Sequence, residues 1–344
     1  MLKLHAADPI ELAYQLGRLR RKKIAERIDF WDRYLTRVYR GRSEEQRFKE
    51  KAFLKKSQQY VATLVEEIRA MAEGAGVPFS DLFRLNLTEL GYYVDKCTDL
   101  IWPVTLQGRR GILIAHNEDW DPKRNDVFHL KVQLPHISYQ VMAYDGYLPG
   151  LSAGVNSHGL IHSVNFLLPK DLRLGVPRIF LARYLVTAKG IEDFLKFLKK
   201  VPRAFGQAIH LAQGPRYLGL ELTARHVAKL RPRLPTVHAN HYLSKKLSSR
   251  QPEPGASSQF RQELAQDLLR RNLKNKKGRY LSLVAARNIS RKILSDRSTE
   301  PFALWRVPNG REETSATLAT VLTDSISLSF LSYGTSKVPR RSSV

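Results

Sequence analysis

The hydrophobic repeat changes along this chain, and that change decides what it can fold into. Up to about residue 90, apolar residues return every three or four positions. Ile24, Ile28, Trp31, Leu35 and Val38 form one stripe; Val61, Leu64, Ile68 and Met71 form a second. Such stripes are the buried faces of amphipathic helices. Gly74, Gly76 and Pro78 are the expected stop of the second helix. Ser80-Asp81 is the expected N-cap of a short third helix running through Leu85. After Asp95 short β-type runs take over: 100–106 and 111–115 around a turn at Gln107-Gly108-Arg109-Arg110, then 129–134, 139–143, 153–156 and 160–165. Helical spacing returns over 178–199, strands over 208–212, 217–222 and around Val227, and helices over 257–273 and 281–293. A final strand pair lies within 317–331. Blocks of strands and helices in this order predict an α+β fold, with sheet packed on sheet and helices outside. No internal repeat is visible, and 251–257, with two prolines and a glycine, is the most loop-like interior stretch.

Composition narrows the function classes. The 344 residues are 43% hydrophobic and 26% charged, ample for a large core. No apolar run approaches the ~18 residues of a membrane-spanning helix, and the N-terminal stretch lacks the pattern of a secretory signal, so a cytoplasmic location is expected. The net charge of +25 favours anionic company. Its excess falls in bursts at Arg225 to Arg233, Lys245-Lys246, Arg270 to Arg279 and Arg340-Arg341, with no zinc-finger spacing and no aromatic RNA-binding signature. The charge therefore reads as solubility and long-range attraction, and nucleic acid is not an expected partner. The Arg20-Arg21-Lys22-Lys23 run is expected on the solvated face of the first helix.

Cys97 is the sole cysteine, which excludes an internal disulfide framework and a cysteine-based metal cluster. A lone cysteine is more often a packing residue than a reagent. This one, however, sits where the helical leader gives way to the β-rich body. It lies among small polar residues, Asp95-Lys96-Cys97-Thr98-Asp99, and the next strand brings Asn117 and Asp119 within hairpin distance. His238 and His241 suggest a metal pair, but positions three apart on an extended segment face opposite ways, and no third ligand is evident. No metal is expected.

These pieces, with others, resemble the autoproteolytic cysteine acyltransferase/hydrolase family typified by isopenicillin N acyltransferase, within the N-terminal-nucleophile (Ntn) hydrolases. Glu66 to Val77 is similar to the family's leader helix and its glycine-marked end. Cys97-Thr98 resembles the pair that opens the mature catalytic subunit, and His116-Asn117-Glu118-Asp119-Trp120 the following Asn-x-Asp strand. Gly154-Val155-Asn156-Ser157-His158-Gly159-Leu160 is similar to the family's Gly-x-Asn-x-x-Gly turn. Most specific is Val237-His238-Ala239-Asn240-His241-Tyr242-Leu243, similar to a His-Thr-Asn-His-x-Leu segment. Singly each motif is weak; together, in order, they span most of the chain.

The resemblance implies a four-layer αββα sandwich with an N-terminal helical leader, divided as a propeptide-like 1–96 and a catalytic domain 97–344. It implies cleavage between Lys96 and Cys97, after which the freed α-amine acts as base for the thiol. Such an amine has a pKa of about 7.7–8.0, against about 10.4 for lysine. The catalytic set would be Cys97, Asp119 and Asn240, with Asn240 as donor to the oxyanion and Asp119 holding the amine or the substrate. Substrate contacts would come from Arg261, Arg306 and His116, with Asn117 fixing the hairpin. No cofactor is implied. The partner is a small-molecule acyl amide or acyl thioester, attacked through a Cys97 acyl-enzyme. Two positions depart from the pattern. Lys96 stands where glycine is the better-known residue, which narrows the backbone conformations open to self-cleavage. His116 stands where relatives carry Gln or Arg. A rival reading is an unprocessed, catalytically inactive scaffold of the same fold that binds anionic ligands.

Overall fold

The computed structural model describes residues 1–39, 44–90, 97–120, 127–274, 280–299, 302–307 and 315–333. Two antiparallel-rich sheets lie face to face. The larger runs β1 (Leu2–His5), β4 (Val127–Gln133), β5 (Ser138–Tyr144), β6 (Ala153–Asn156), β7 (Leu160–Leu167), β8 (Gly206–Gln213), β9 (Arg216–Leu222) and β10 (Val227–Leu230). The smaller runs β11 (Thr236–His238), β2 (Thr98–Leu106), β3 (Arg109–Trp120), β13 (Ala316–Thr323) and β14 (Leu328–Tyr333), with the two-residue β12 (Leu281–Ser282) also on β2.

Alternation along each strand separates the layers. From the smaller sheet, Ile101, Ile112, Ile114 and Val321 share one core with Met142, Val155 and Ile161 of the larger. On the opposite face, Leu100, Trp102, Val104, Leu113 and Ala115 pack under α6 (Ala256–Leu273) and α7 (Leu283–Leu294). The outer face of the larger sheet is covered by α4 (Arg178–Thr187) and α5 (Ile191–Lys200), joined there by α1 (Pro9–Tyr39) and α2 (Glu44–Ala75). The order helix, sheet, sheet, helix is the αββα sandwich expected from the sequence. The single helical pattern over 178–199 resolves into α4 and α5, broken at 188–190.

The first ninety residues are built into this body. β1, which the periodicity did not reveal, adds to the larger sheet, pairing Leu2 to His5 in parallel with Leu130 to Gln133. Glu67 of α2 accepts from Arg183 Nε of α4 at 2.7 Å, both buried. Asn86 donates to Gly146 O and accepts from Leu148 N. Two details of the leader depart from expectation. The third helix, α3 (Phe79–Leu85), begins at Pro78 without a side-chain cap, so Ser80 and Asp81 lie inside its first turn; proline is already set for a helix start. Gly74 does not end α2, which runs on to Ala75 before Gly76 turns left-handed (φ +69°). Gly74 instead lets α2 press on α1, where an added Cβ would sit 2.1 Å from Tyr14 O.

Among the described residues, no helix is long and apolar enough to cross a membrane. The charge bursts at Arg225, Arg231 and Arg233, Lys245-Lys246 and Arg270-Arg271 are solvent-exposed.

Candidate active site

Cys97 immediately precedes β2, and two neighbours set what surrounds it. β2 pairs with β3 through Thr98 opposite Asn117 and Asp99 opposite His116, so the register continues to Cys97 opposite Glu118. On its other edge β11 pairs Val237 with Leu100 and His238 with Asp99. The pairing ends there: Ala239 N and Asn240 N donate to Gln262 Oε1 and Ser258 Oγ of α6, both at 2.8 Å. The most specific of the sequence motifs is thus an edge strand of three residues followed by a turn, too short for periodicity to reveal.

Strand alternation divides β3 into two chemistries. His116 and Glu118 face the inter-sheet layer with the Cys97 thiol; Asn117 and Asp119 face α6 and α7. Asn117 donates to Leu294 O and Leu304 O at 2.9 and 2.8 Å and accepts from Thr320, tying β3 to the end of α7.

The α6 side gathers four residues singled out in the sequence. Arg261 is buried and spends its guanidinium inside the protein. Nη1 donates to Cys97 O and Thr98 Oγ1, both at 2.6 Å, and Nη2 donates to Asn240 Oδ1 at 2.8 Å. Arg261 was expected to meet a substrate carboxylate; its hydrogen bonds instead make it a brace for the nucleophile's own backbone. By holding Oδ1, it also fixes which end of the Asn240 amide is NH2. That Nδ2 donates to Phe166 O at 3.1 Å, and an amide nitrogen has a second hydrogen to give. Arg306 Nη1 donates to Ser257 Oγ at 2.9 Å. Asp119 is fully buried, and neither carboxylate oxygen has a hydrogen-bond partner among the described residues. Burial pushes its pKa up to about 6, against the pull of the Arg261 and Arg306 charges and of the Thr317 hydroxyl on the paired strand β13.

The inter-sheet side is a row of buried polar groups that the sequence reading largely missed. His116, expected at the substrate, is held between two carboxylates, Nδ1 at 2.9 Å from Asp99 Oδ1 and Nε2 at 2.8 Å from Glu118 Oε2. Burial works against a charged ring, but Asp99 first, then hydrogen bonds with Cys97 and Glu118, more than reverse it, and the imidazole pKa stands well above its ordinary 6.5. Glu118 also accepts from Tyr144 OH and Ser152 Oγ. The Cys97 thiol lies 3.6 Å from Glu118 Oε2. Burial would raise both carboxyl pKa values, yet the His116 contacts hold Asp99 and Glu118 below the usual range. Beyond Asp99 the row continues through His210, 3.7 Å away, to His238, which meets Glu221 at 3.0 Å. The only signal for Glu118 was its place two residues from His116 on one strand; Tyr144 and Ser152 arrive from the other sheet.

Cys97, His116 and Glu118 offer S, N and O atoms within 4.8 Å of one another, a possible metal grouping. Both ring nitrogens of His116 already face carboxylates, so binding an ion would cost the Glu118 contact. His238 and His241 do not converge; His241 Nδ1 is 2.8 Å from Ser258 Oγ while His238 is on Glu221. Lys96 lies outside the described residues.

Known proteins share sequence with this region. A family model for acyl-coenzyme A:6-aminopenicillanic acid acyl-transferase matches residues 106–329. The chain belongs to this family. The match takes in His116, Asp119, Asn240, Arg261 and Arg306, and begins downstream of Cys97. The acyl-transferase family assignment is accompanied by similarity to beta-alanyl-dopamine/carcinine hydrolase of Drosophila melanogaster, 29% identical over 159 residues, 39% of this chain and 40% of that protein. Among solved structures, the chain is similar to penicillin V acylase from Agrobacterium tumefaciens, with a TM-score of 0.42 and 13% identity, covering 66% of this chain and 80% of that one.

Proposed function

We propose that this chain is a self-processing cysteine amidohydrolase or acyltransferase, acting on small acyl amides or acyl thioesters through a Cys97 acyl-enzyme. The observation that carries the reading is the two-sided hold on Cys97: its thiol faces Glu118, its carbonyl is braced by Arg261, and Arg261 in turn orients Asn240. Family membership and the similarity to an amide-cleaving hydrolase support the reaction class.

Cleavage between Lys96 and Cys97 frees an α-amine at the nucleophile. Asp119, a buried carboxylate with two oxygens lacking hydrogen-bond partners, is suited to receive that amine once it is charged. The thiolate adds to the substrate carbonyl, the amine carries the proton to the leaving group, and a thioester results. Asn240 Nδ2 donates to the oxyanion, a contact worth roughly 2.7–4 kcal/mol of barrier in comparable sites. Arg261 acts as a positioning residue for Asn240, and Arg306 lends its charge beside Asp119. Water as acceptor gives hydrolysis; an amine gives transfer. The chemistry uses side chains and needs no cofactor.

The test is intact-mass analysis of the purified protein. Wild type should give two fragments meeting at Lys96-Cys97, and Cys97→Ala a single uncut chain. A wild-type preparation that stays whole and does not turn over acyl amides would overturn the reading in favour of an inactive scaffold.

A further inference from the structure

The amine that serves as base in the mature enzyme does not exist until the chain is cut. Before then the Cys97 nitrogen is an amide, with no basicity to offer, so self-cleavage needs a different proton acceptor. We propose that Glu118 is that acceptor, a catalytic residue that takes the Cys97 proton in the uncut chain. The inference rests on the self-processing reading.

Three observations support it. Glu118 Oε2 is 3.6 Å from Sγ, within the reach of a sulfur donor, and both groups are buried. The carboxylate is kept ionised in advance: His116, Ser152 and Tyr144 all direct hydrogens or charge to it, which leaves it free to accept a proton while weakening its hold on one. The ring of His116 cannot swing away, because Asp99 holds its other nitrogen. With Asp99 and Glu118 ionised and His116 charged, the cluster keeps one net negative charge in a layer shut off from water. The contacts from His116, Ser152 and Tyr144 outweigh burial and hold Glu118 below the usual carboxylate range, so it stands ionised beside the thiol, able to accept a proton and to hand it on readily to the departing nitrogen. His116 and Asp99 act through Glu118 as positioning residues, and His210 is the further titratable group facing Asp99.

In the step itself the thiol proton moves to Glu118, and Sγ bonds to the carbonyl carbon ahead of Cys97. The C–N bond breaks, and Glu118 returns the proton to the departing nitrogen. Water then breaks the C–S bond, leaving a carboxylate on the upstream fragment and a thiol and an amine on Cys97. One water is consumed, and Glu118 ends as it began.

The experiment follows cutting of the freshly folded full chain by intact mass. In Glu118→Gln the appearance of fragments should slow by about 100-fold or more, within the span of general acid–base effects. Glu118→Ala leaves a small cavity beside the thiol, and added formate should restore cutting in proportion to its concentration. Restoration marks a missing base, which a merely structural role would not produce. Wild type that never cuts sinks the self-processing reading and this inference with it. Wild type that cuts, with Glu118→Gln cutting just as fast, overturns the role of Glu118 alone. So does a slow Glu118→Ala that formate does not speed, whatever its melting temperature.

Discussion

Asp119 is the residue whose energetics speak most directly. Burial lifts its pKa from 3.8 to about 6, with Arg261 and Arg306 pulling the other way. A carboxyl that holds its proton more tightly when folded contributes stability below its unfolded pKa, and that contribution is lost as pH rises through 6. Asparagine in its place removes the penalty of a buried charge. In a Cys97→Ala background, expected to stay uncut, adding Asp119→Asn should raise stability at pH 7.5 by on the order of 3 kcal/mol, since one pKa unit is about 1.4 kcal/mol. At pH 4 the two proteins should melt together. Urea unfolding at both pH values checks this; equal stability at pH 7.5 would show the carboxylate to be paired. On the wild-type background the same change should abolish turnover. Arg261→Met tests the brace from the other side. With Asn240 Oδ1 released, kcat on a small acyl amide should drop by about 100-fold, the scale of losing one oxyanion donor, with a smaller change in KM.

At the scale of elements, the α1–α2 contact is the most exacting in the leader. Gly17 faces Met71 O and Gly74 faces Tyr14 O, each so close that a Cβ would lie 2.1 Å from a backbone oxygen. Gly74→Ala must push the helices apart, at a cost of roughly 1–3 kcal/mol by the measure of overpacked cores. A fall in melting temperature without loss of fragment formation is the expected result. The same pair shows how far sequence reading reaches. The stripes of both helices were plain in the spacing of Ile24 to Leu35 and Val61 to Met71, but a glycine that stops a helix and one that lets another helix approach look alike in one dimension. Most strands were legible as short β-type runs set off by turn signals, as 100–106, 153–156 and 217–222 are; lying in sheets covered on both faces, they are almost wholly buried and do not alternate with solvent. β1 and β11 were not, since four and three residues hold too little period. Cys97 and Asp119 stood out by their place at the junction of leader and strands, and Asn240, Arg261 and Arg306 only through motif resemblance. Glu118 was overlooked beside Asp119, and Ser152 and Tyr144 reach the thiol only through the stacking of two sheets, which local pattern does not encode.

For the whole molecule, residues 1–90 are packed and paired into the β-rich body downstream of them. β1 occupies an edge of the larger sheet, and α1, α2 and α3 supply much of the core shared with α4 and α5. Fragments made by cutting at Lys96-Cys97 should therefore co-elute at the mass of the intact chain in native gel filtration, and separate only in denaturant. Dissociation in mild buffer would show that these contacts do not hold the pieces together.

The split along β3 carries a consequence for how such a protein can change. The even-numbered His116 and Glu118 face the Cys97 sulfur, the odd-numbered Asn117 and Asp119 face α6 and α7, and the β3 backbone runs between the two groups. If the proposed self-cleavage holds, substitutions on one face should change the rate of cutting with little effect on later turnover, and those on the other face the reverse. A one-residue insertion just ahead of His116 would exchange the two faces and silence both at once.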